Sequence, residues 1–204
     1  MLSIPSWQVA RSKVKSISTR YLEPYIVKPF ILVGLTPNMV TMLGVIMHIP
    51  ACYMISRGDF LVGGILLLGA AAFDMVDGAV ARHSGKSSAT GALLDSIADR
   101  ISEALCLIGL LWFYLGSDSA IFVEVLLVFL TMFTSSMVSY IRARGEGLDV
   151  DCTVGIMTRP ERVVVLAFGL MLHQVVFAMM VIVSLSMLTA VHRFWHIKRE
   201  ISST

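Results

Sequence analysis

Residues 60–115 read FLVGGILLLGAAAFDMVDGAVARHSGKSSATGALLDSIADRISEALCLIGLLWFYL. Two apolar runs, about 60–81 and 92–115, flank the polar connection HSGKSSAT at residues 83–90. Each run is long enough for a helix to cross a hydrocarbon layer of about 30 Å. The first is broken by Asp74 and Asp77, the second by Asp95, Asp99, Arg100 and Glu103. The pair is therefore read as two antiparallel helices that carry charge only near their shared connection.

The rest of the chain repeats the apolar pattern. Further runs cover about 39–56, 120–141 and 163–191, the last interrupted only by His173 and Gln174. Two helices meeting at a tight turn near His173 account best for that last stretch. The composition agrees: of 204 residues, 56% are hydrophobic and 15% charged, against about half and a quarter in a soluble domain. The fold class predicted is an all-α integral membrane protein with six transmembrane helices. Residues 35–200 form the transmembrane domain. Residues 1–34 form a juxtamembrane segment in which 5–34, mixing Trp7, Ile17 and Tyr21 with five basic residues, reads as an interfacial amphipathic helix. The N-terminus lacks the basic-then-apolar order of a cleaved signal peptide.

Charge sets the expected orientation. Basic residues precede the 39–56 run, and Arg82 and Lys86 follow the 60–81 run. Arg142, Arg144, Arg159 and Arg162 follow the 120–141 run, and Arg193, Lys198 and Arg199 close the chain. Only Arg57 lies in the opposite set of connections. The positive-inside rule then puts both termini, and the acidic cluster, on the cytoplasmic side of the cell membrane. A net charge of +2 gives no support for nucleic-acid binding. Cys52, Cys106 and Cys152 lack metal-ligand spacing and are read as packing residues.

A carboxylate near the centre of a membrane helix costs about 2.5–3.5 kcal/mol on insertion scales, so four cost on the order of 10 kcal/mol. A location near the cytoplasmic end offsets part of this, and a bound cation another part. Asp74 and Asp77, three apart, share a helix face, as do Asp95 and Asp99, four apart. All-oxygen ligands suit a hard cation: Mg²⁺ or Mn²⁺, with Ca²⁺ also compatible. Gly78 and Ala81 lie along the Asp74 stripe, and Gly91 lies four residues before Asp95. Small residues there admit either a ligand or a close helix neighbour.

Residues 74–99, DMVDGAVARHSGKSSATGALLDSIAD, resemble the CDP-alcohol phosphotransferase family. They fit its signature Asp-x2-Asp-Gly-x2-Ala-Arg-x8-Gly-x3-Asp-x3-Asp at all eight fixed positions. Chance agreement is on the order of 10⁻⁹ to 10⁻¹⁰ per start position. The resemblance implies transfer of a phosphatidyl-type group from a CDP-linked lipid to an alcohol, and a homodimer. It implies two metal ions on Asp74, Asp77, Asp95 and Asp99, with Asp99 also the general base. Asp74, Gly78, Arg82 and Ser88 would contact the CDP-lipid. So would Asn38, Met39, Val40 and Thr41, in a turn that resembles the family's nucleotide contact. Asn38 or Thr41 can equally cap the first helix.

SYIRARGEGLDVDCTVGIMTRPERVV, residues 139–164, resembles the branch that makes phosphatidylinositol phosphate or its archaeal ether-lipid counterpart. Arg142, Arg162 and Arg193 stand where that branch holds the acceptor phosphate; some members have Lys at the first place. Taken alone, each arginine also reads as an ordinary helix flank. Arg159 is read as a flank or as a partner of Glu161. Glu103 either packs against Arg100, orients it, or orients a metal-bound water. His48 is read as a satisfied interior histidine. The implied substrates are CDP-diacylglycerol or CDP-archaeol, and inositol phosphate. Glycerol 3-phosphate is the alternative acceptor, while a divalent-cation transporter and a non-catalytic lipid-binding relative are the alternatives of other classes. A transporter should carry a second acidic cluster or a repeat, and neither is present in the sequence.

Overall fold

The computed structural model describes residues 34–84, 88–116 and 122–203. The expected interfacial helix at 5–34 therefore falls, apart from Gly34, outside the described residues. Among the described residues six helices follow in chain order: α1 Pro37–Ser56, α2 Phe60–Ser84, α3 Ala89–Leu115, α4 Phe122–Glu146, α5 Arg159–Met171 and α6 Val175–Ser203. Each corresponds to an apolar run, and most extend beyond it into polar sequence. α4 continues through Arg142 to Glu146, whose side chains pair at 2.8 Å across one helical turn.

The start of α1 settles its cap. The Thr36 hydroxyl accepts the Met39 N–H at 3.4 Å, and Pro37 opens the helix, where its missing N–H costs nothing. Thr41 instead donates its hydroxyl back to the Pro37 carbonyl at 3.1 Å. Capping by Asn38 or Thr41 is thus replaced by capping from Thr36, which precedes the first helical residue as a cap must.

The break predicted near His173 is present. His173 takes φ 56°. Its N–H reaches Leu170 O at 3.0 Å, and the Gln174 N–H reaches Gly169 O at 2.7 Å. This pair of bonds closes α5 and lets the chain reverse into α6. At about 20 Å, thirteen-residue α5 is shorter than a hydrocarbon layer. Among the described residues, three helices are long and apolar enough to cross a membrane: Pro37–Ser56, Phe122–Glu146 and Val175–Ser202. The protein is a multi-pass membrane protein on that basis.

Two compact units make up the described chain: residues up to Gly44 with Ala72–Ala98, and Val45–Ala71 with Asp99 onward. Val40, Ala79 and Val80 form the core of the first, joined by Leu35, Phe73 and Val76. The larger core of the second includes Ile55, Leu67, Leu107, Leu110, Leu170 and Met179. Within it, α4 and α5 both pack on α6.

The segment between α4 and α5 is strapped to α6. The Met157 N–H donates to the Thr189 hydroxyl at 3.1 Å, and Arg193 Nε donates to Val154 O at 2.8 Å. Gly155, at φ 119°, sits where a Cβ would run into Thr189. All three cysteines are free. Burial pushes the Cys152 thiol up against the pull of Arg193 and Arg142, which suits a packing role.

Candidate active site

The first unit holds Asp74 on α2 and Asp95 on α3, both part-buried. α1 comes so close to the first that a Cβ on Gly44 would collide with the Asp74 carboxylate. Only a glycine leaves that carboxylate its seat. The connection before α3 is equally tight: the Ser88 hydroxyl accepts the Gly91 N–H at 3.0 Å. A Cβ on Gly91 would stand 3.1 Å from Ser88 Oγ and 3.4 Å from Asn38 Oδ1. The first turn of α1 and the loop before α3 thereby bring two of the expected CDP contacts, Asn38 and Ser88, to one glycine. Met39 and Arg82 are exposed nearby in sequence, whereas the Val40 side chain is fully buried in the unit's core.

The surroundings of Asp77, Gly78 and Ala81 lie outside the described residues. Among the described residues, no three His, Cys, Asp or Glu side chains are gathered as a metal site. The donors that are described still suit a hard cation. Asp74 and Asp95 offer carboxylate oxygens only, the donor type such a cation takes, and the Asp74 carboxylate lies directly against the Gly44 backbone.

In the second unit α5 begins against α3 at the last signature residue, Asp99, and the turn after it. Arg159 reaches Asp99 at 2.5 Å. One turn further, Arg162 Nε donates to Glu103 Oε1 at 2.7 Å and Nη2 donates to Oε2 at 2.9 Å. Glu103 therefore engages Arg162, a partner 59 residues away that its sequence neighbourhood does not suggest. The Glu161 carboxylate accepts the Thr158 N–H at 3.0 Å and also the Thr158 hydroxyl, so it caps α5. To the expected alternatives for Arg159, flank or Glu161 partner, the structure adds Asp99.

The three arginines differ. Arg162 is 2% exposed and Arg193 3%. Arg193 is held by two carbonyls, Val154 through Nε and Val138 through Nη1 at 2.7 Å. Helix-flanking arginines extend toward the interface, so the flanking reading does not describe these two. Arg142 is exposed and paired with Glu146. Both Arg142 and Arg162 lie within electrostatic reach of Arg193. Beside Arg159 and Arg162 is a cavity of about 20 Å³, also lined by His48, Ser102, Glu103 and Thr131. His48 is 1% exposed, as expected of an interior histidine.

Residues 34–199 match the family model for CDP-alcohol phosphatidyltransferase. The archaetidylinositol phosphate synthase of Methanothermobacter thermautotrophicus is 28% identical over 190 residues, covering 93% of this chain and 92% of that protein. The crystal structure of Mycobacterium tuberculosis phosphatidylinositol phosphate synthase with CDP-DAG bound is similar at a TM-score of 0.78. Its identity is 28%, with 86% of this chain and 93% of that one covered. The same enzyme in complex with manganese and citrate also gives 0.78, at 29% identity, covering 86% of this chain and 88% of that one.

Proposed function

Because this chain belongs to the CDP-alcohol phosphatidyltransferase family, we propose that it transfers the phosphatidyl or archaetidyl group of CDP-diacylglycerol or CDP-archaeol to a hydroxyl of inositol phosphate. The hydroxyl oxygen bonds to the β-phosphorus, the bond from that phosphorus to the bridging oxygen breaks, and CMP leaves. Asp99 takes the hydroxyl proton. Asn38, Met39, Val40, Thr41, Asp74, Gly78, Arg82 and Ser88 hold the CDP-lipid; Val40, whose side chain is buried, takes part through its backbone.

Asp74, Asp77, Asp95 and Asp99 are the ligands for two divalent cations, Mg²⁺ or Mn²⁺. When bound, these cations would neutralise charge on the pyrophosphate and on the departing CMP. The oxygen-only donors support that assignment, as does manganese in the related structure.

The acceptor assignment rests on the arginines. Arg142 and Arg162 each lie within electrostatic reach of Arg193. Two of them are buried deeply enough that lipid headgroups do not explain them. A dianionic phosphate is the ligand such a group of forked donors suits. The chain works as a six-helix homodimer with both termini and the active site facing the cytoplasm. Residues 1–34 lie at the membrane interface ahead of the 35–200 domain.

Purified protein, CDP-diacylglycerol and Mg²⁺ are combined with inositol phosphate, glycerol 3-phosphate, serine or choline. CMP release is expected with inositol phosphate, and Asp99→Asn should abolish it while leaving CDP-lipid binding measurable. Release only with glycerol 3-phosphate overturns the acceptor, and no release with any acceptor overturns the transfer reaction.

A further inference from the structure

We infer that Glu103 is a positioning residue for the acceptor. It fixes the Arg162 guanidinium so that one of its two forked edges is spent on the protein and the other is aimed at the acceptor phosphate. The inference rests on the proposed role of Arg162.

A guanidinium has two edges that can each make paired hydrogen bonds, Nε with Nη2 and Nη1 with Nη2. Glu103 occupies the first edge through both carboxylate oxygens, at 2.7 and 2.9 Å. The opposite group, Nη1, reaches Met157 O at 3.5 Å, a weak contact by hydrogen-bond geometry. The second edge therefore keeps capacity for a phosphate. An arginine side chain has several rotatable bonds, and it loses much of that freedom when one edge is clamped. Pre-organisation of this kind raises affinity by removing an ordering cost from the binding step. Arg162 is buried, so the carboxylate also balances a charge that would otherwise be stranded.

The location of Glu103 gives the clamp its purpose. It lies four residues after Asp99 on α3, about one turn along the same face. Arg159 and Arg162, three apart at the start of α5, meet Asp99 and Glu103 respectively. The group proposed to take the acceptor's proton and the group that orients its phosphate ligand thus ride on one helix face. A shift of α3 or α5 would move both ends of the acceptor site together.

Initial rates of CMP release, with inositol phosphate and CDP-diacylglycerol varied in turn, test this on Glu103→Gln, Arg162→Ala and the double variant. Glu103→Gln is expected to raise the acceptor KM about tenfold while the CDP-lipid KM stays within about twofold. The double variant should be no worse than Arg162→Ala alone, because without the guanidinium the clamp has nothing to hold. An unchanged acceptor KM in Arg162→Ala sinks the pocket itself. A raised KM there, with Glu103→Gln shifting both KM values alike or adding its full effect in the double variant, sinks the role of Glu103 and leaves the pocket standing. Should Glu103→Gln not fold, Glu103→Asp keeps the buried charge but draws the carboxylate back by one methylene. It is expected to give the same acceptor-selective rise, and wild-type kinetics from it would overturn the inference.

Discussion

Gly44 occupies a point on α1 where any side chain would meet the Asp74 carboxylate. The obstacle is the end of a side chain, so Gly44→Ala should fold and the carboxylate should move instead. A displacement of about 1 Å in a reacting group can cost about a hundredfold in rate. Gly44→Ala is accordingly expected to keep its melting temperature in detergent and to lose CMP release by roughly that factor; full activity would remove Gly44 from the site. Sequence reasoning identified the aspartates, because charge inside apolar runs is rare and costly enough to stand out. It passed over Gly44, whose only signal is a glycine inside an apolar helix. It also had no means of pairing Glu103 with Arg162 or Asp99 with Arg159, since two charges some sixty residues apart carry no mark of each other.

Helix ends show the same division. Hydropathy located the break at His173 because two polar residues interrupt an otherwise apolar stretch, and the left-handed His173 with its pair of backbone bonds supplies the turn. Thr158 and Glu161 have the spacing of a capping pair, a signature present in the sequence. Reading Glu161 only as a possible partner of Arg159 overlooked it. Losing such a cap costs about 1 kcal/mol. Glu161→Ala is therefore expected to lower the melting temperature by about 2–4 °C in a chain of this size. A shift indistinguishable from zero in a thermal melt would show that the cap contributes nothing. The ends of α2 and α4 escaped hydropathy for a different reason. A helix may continue beyond the apolar layer once its polar residues reach water, and no apolar pattern marks where it stops.

At the scale of the whole molecule, the alternation of basic and uncharged connections predicts which side each faces. Cysteine labelling in sealed cells tests it. With Cys52, Cys106 and Cys152 replaced, Ser117→Cys should react with an impermeant maleimide from outside, and Ser202→Cys should react only after permeabilisation. The reverse pattern would put the active site on the outer face. The membrane class, the six helices and the reaction family are legible along the chain, because all three are written in local quantities: length, hydropathy and the spacing of a few residues along two helices. The tertiary structure decided that Thr36 caps α1, that Gly44 yields space to Asp74, and that Arg162 and Arg193 are buried and oriented by Glu103 and by backbone carbonyls. These facts depend on which surfaces of distant segments meet, and packing between segments is not encoded at any one place along the chain.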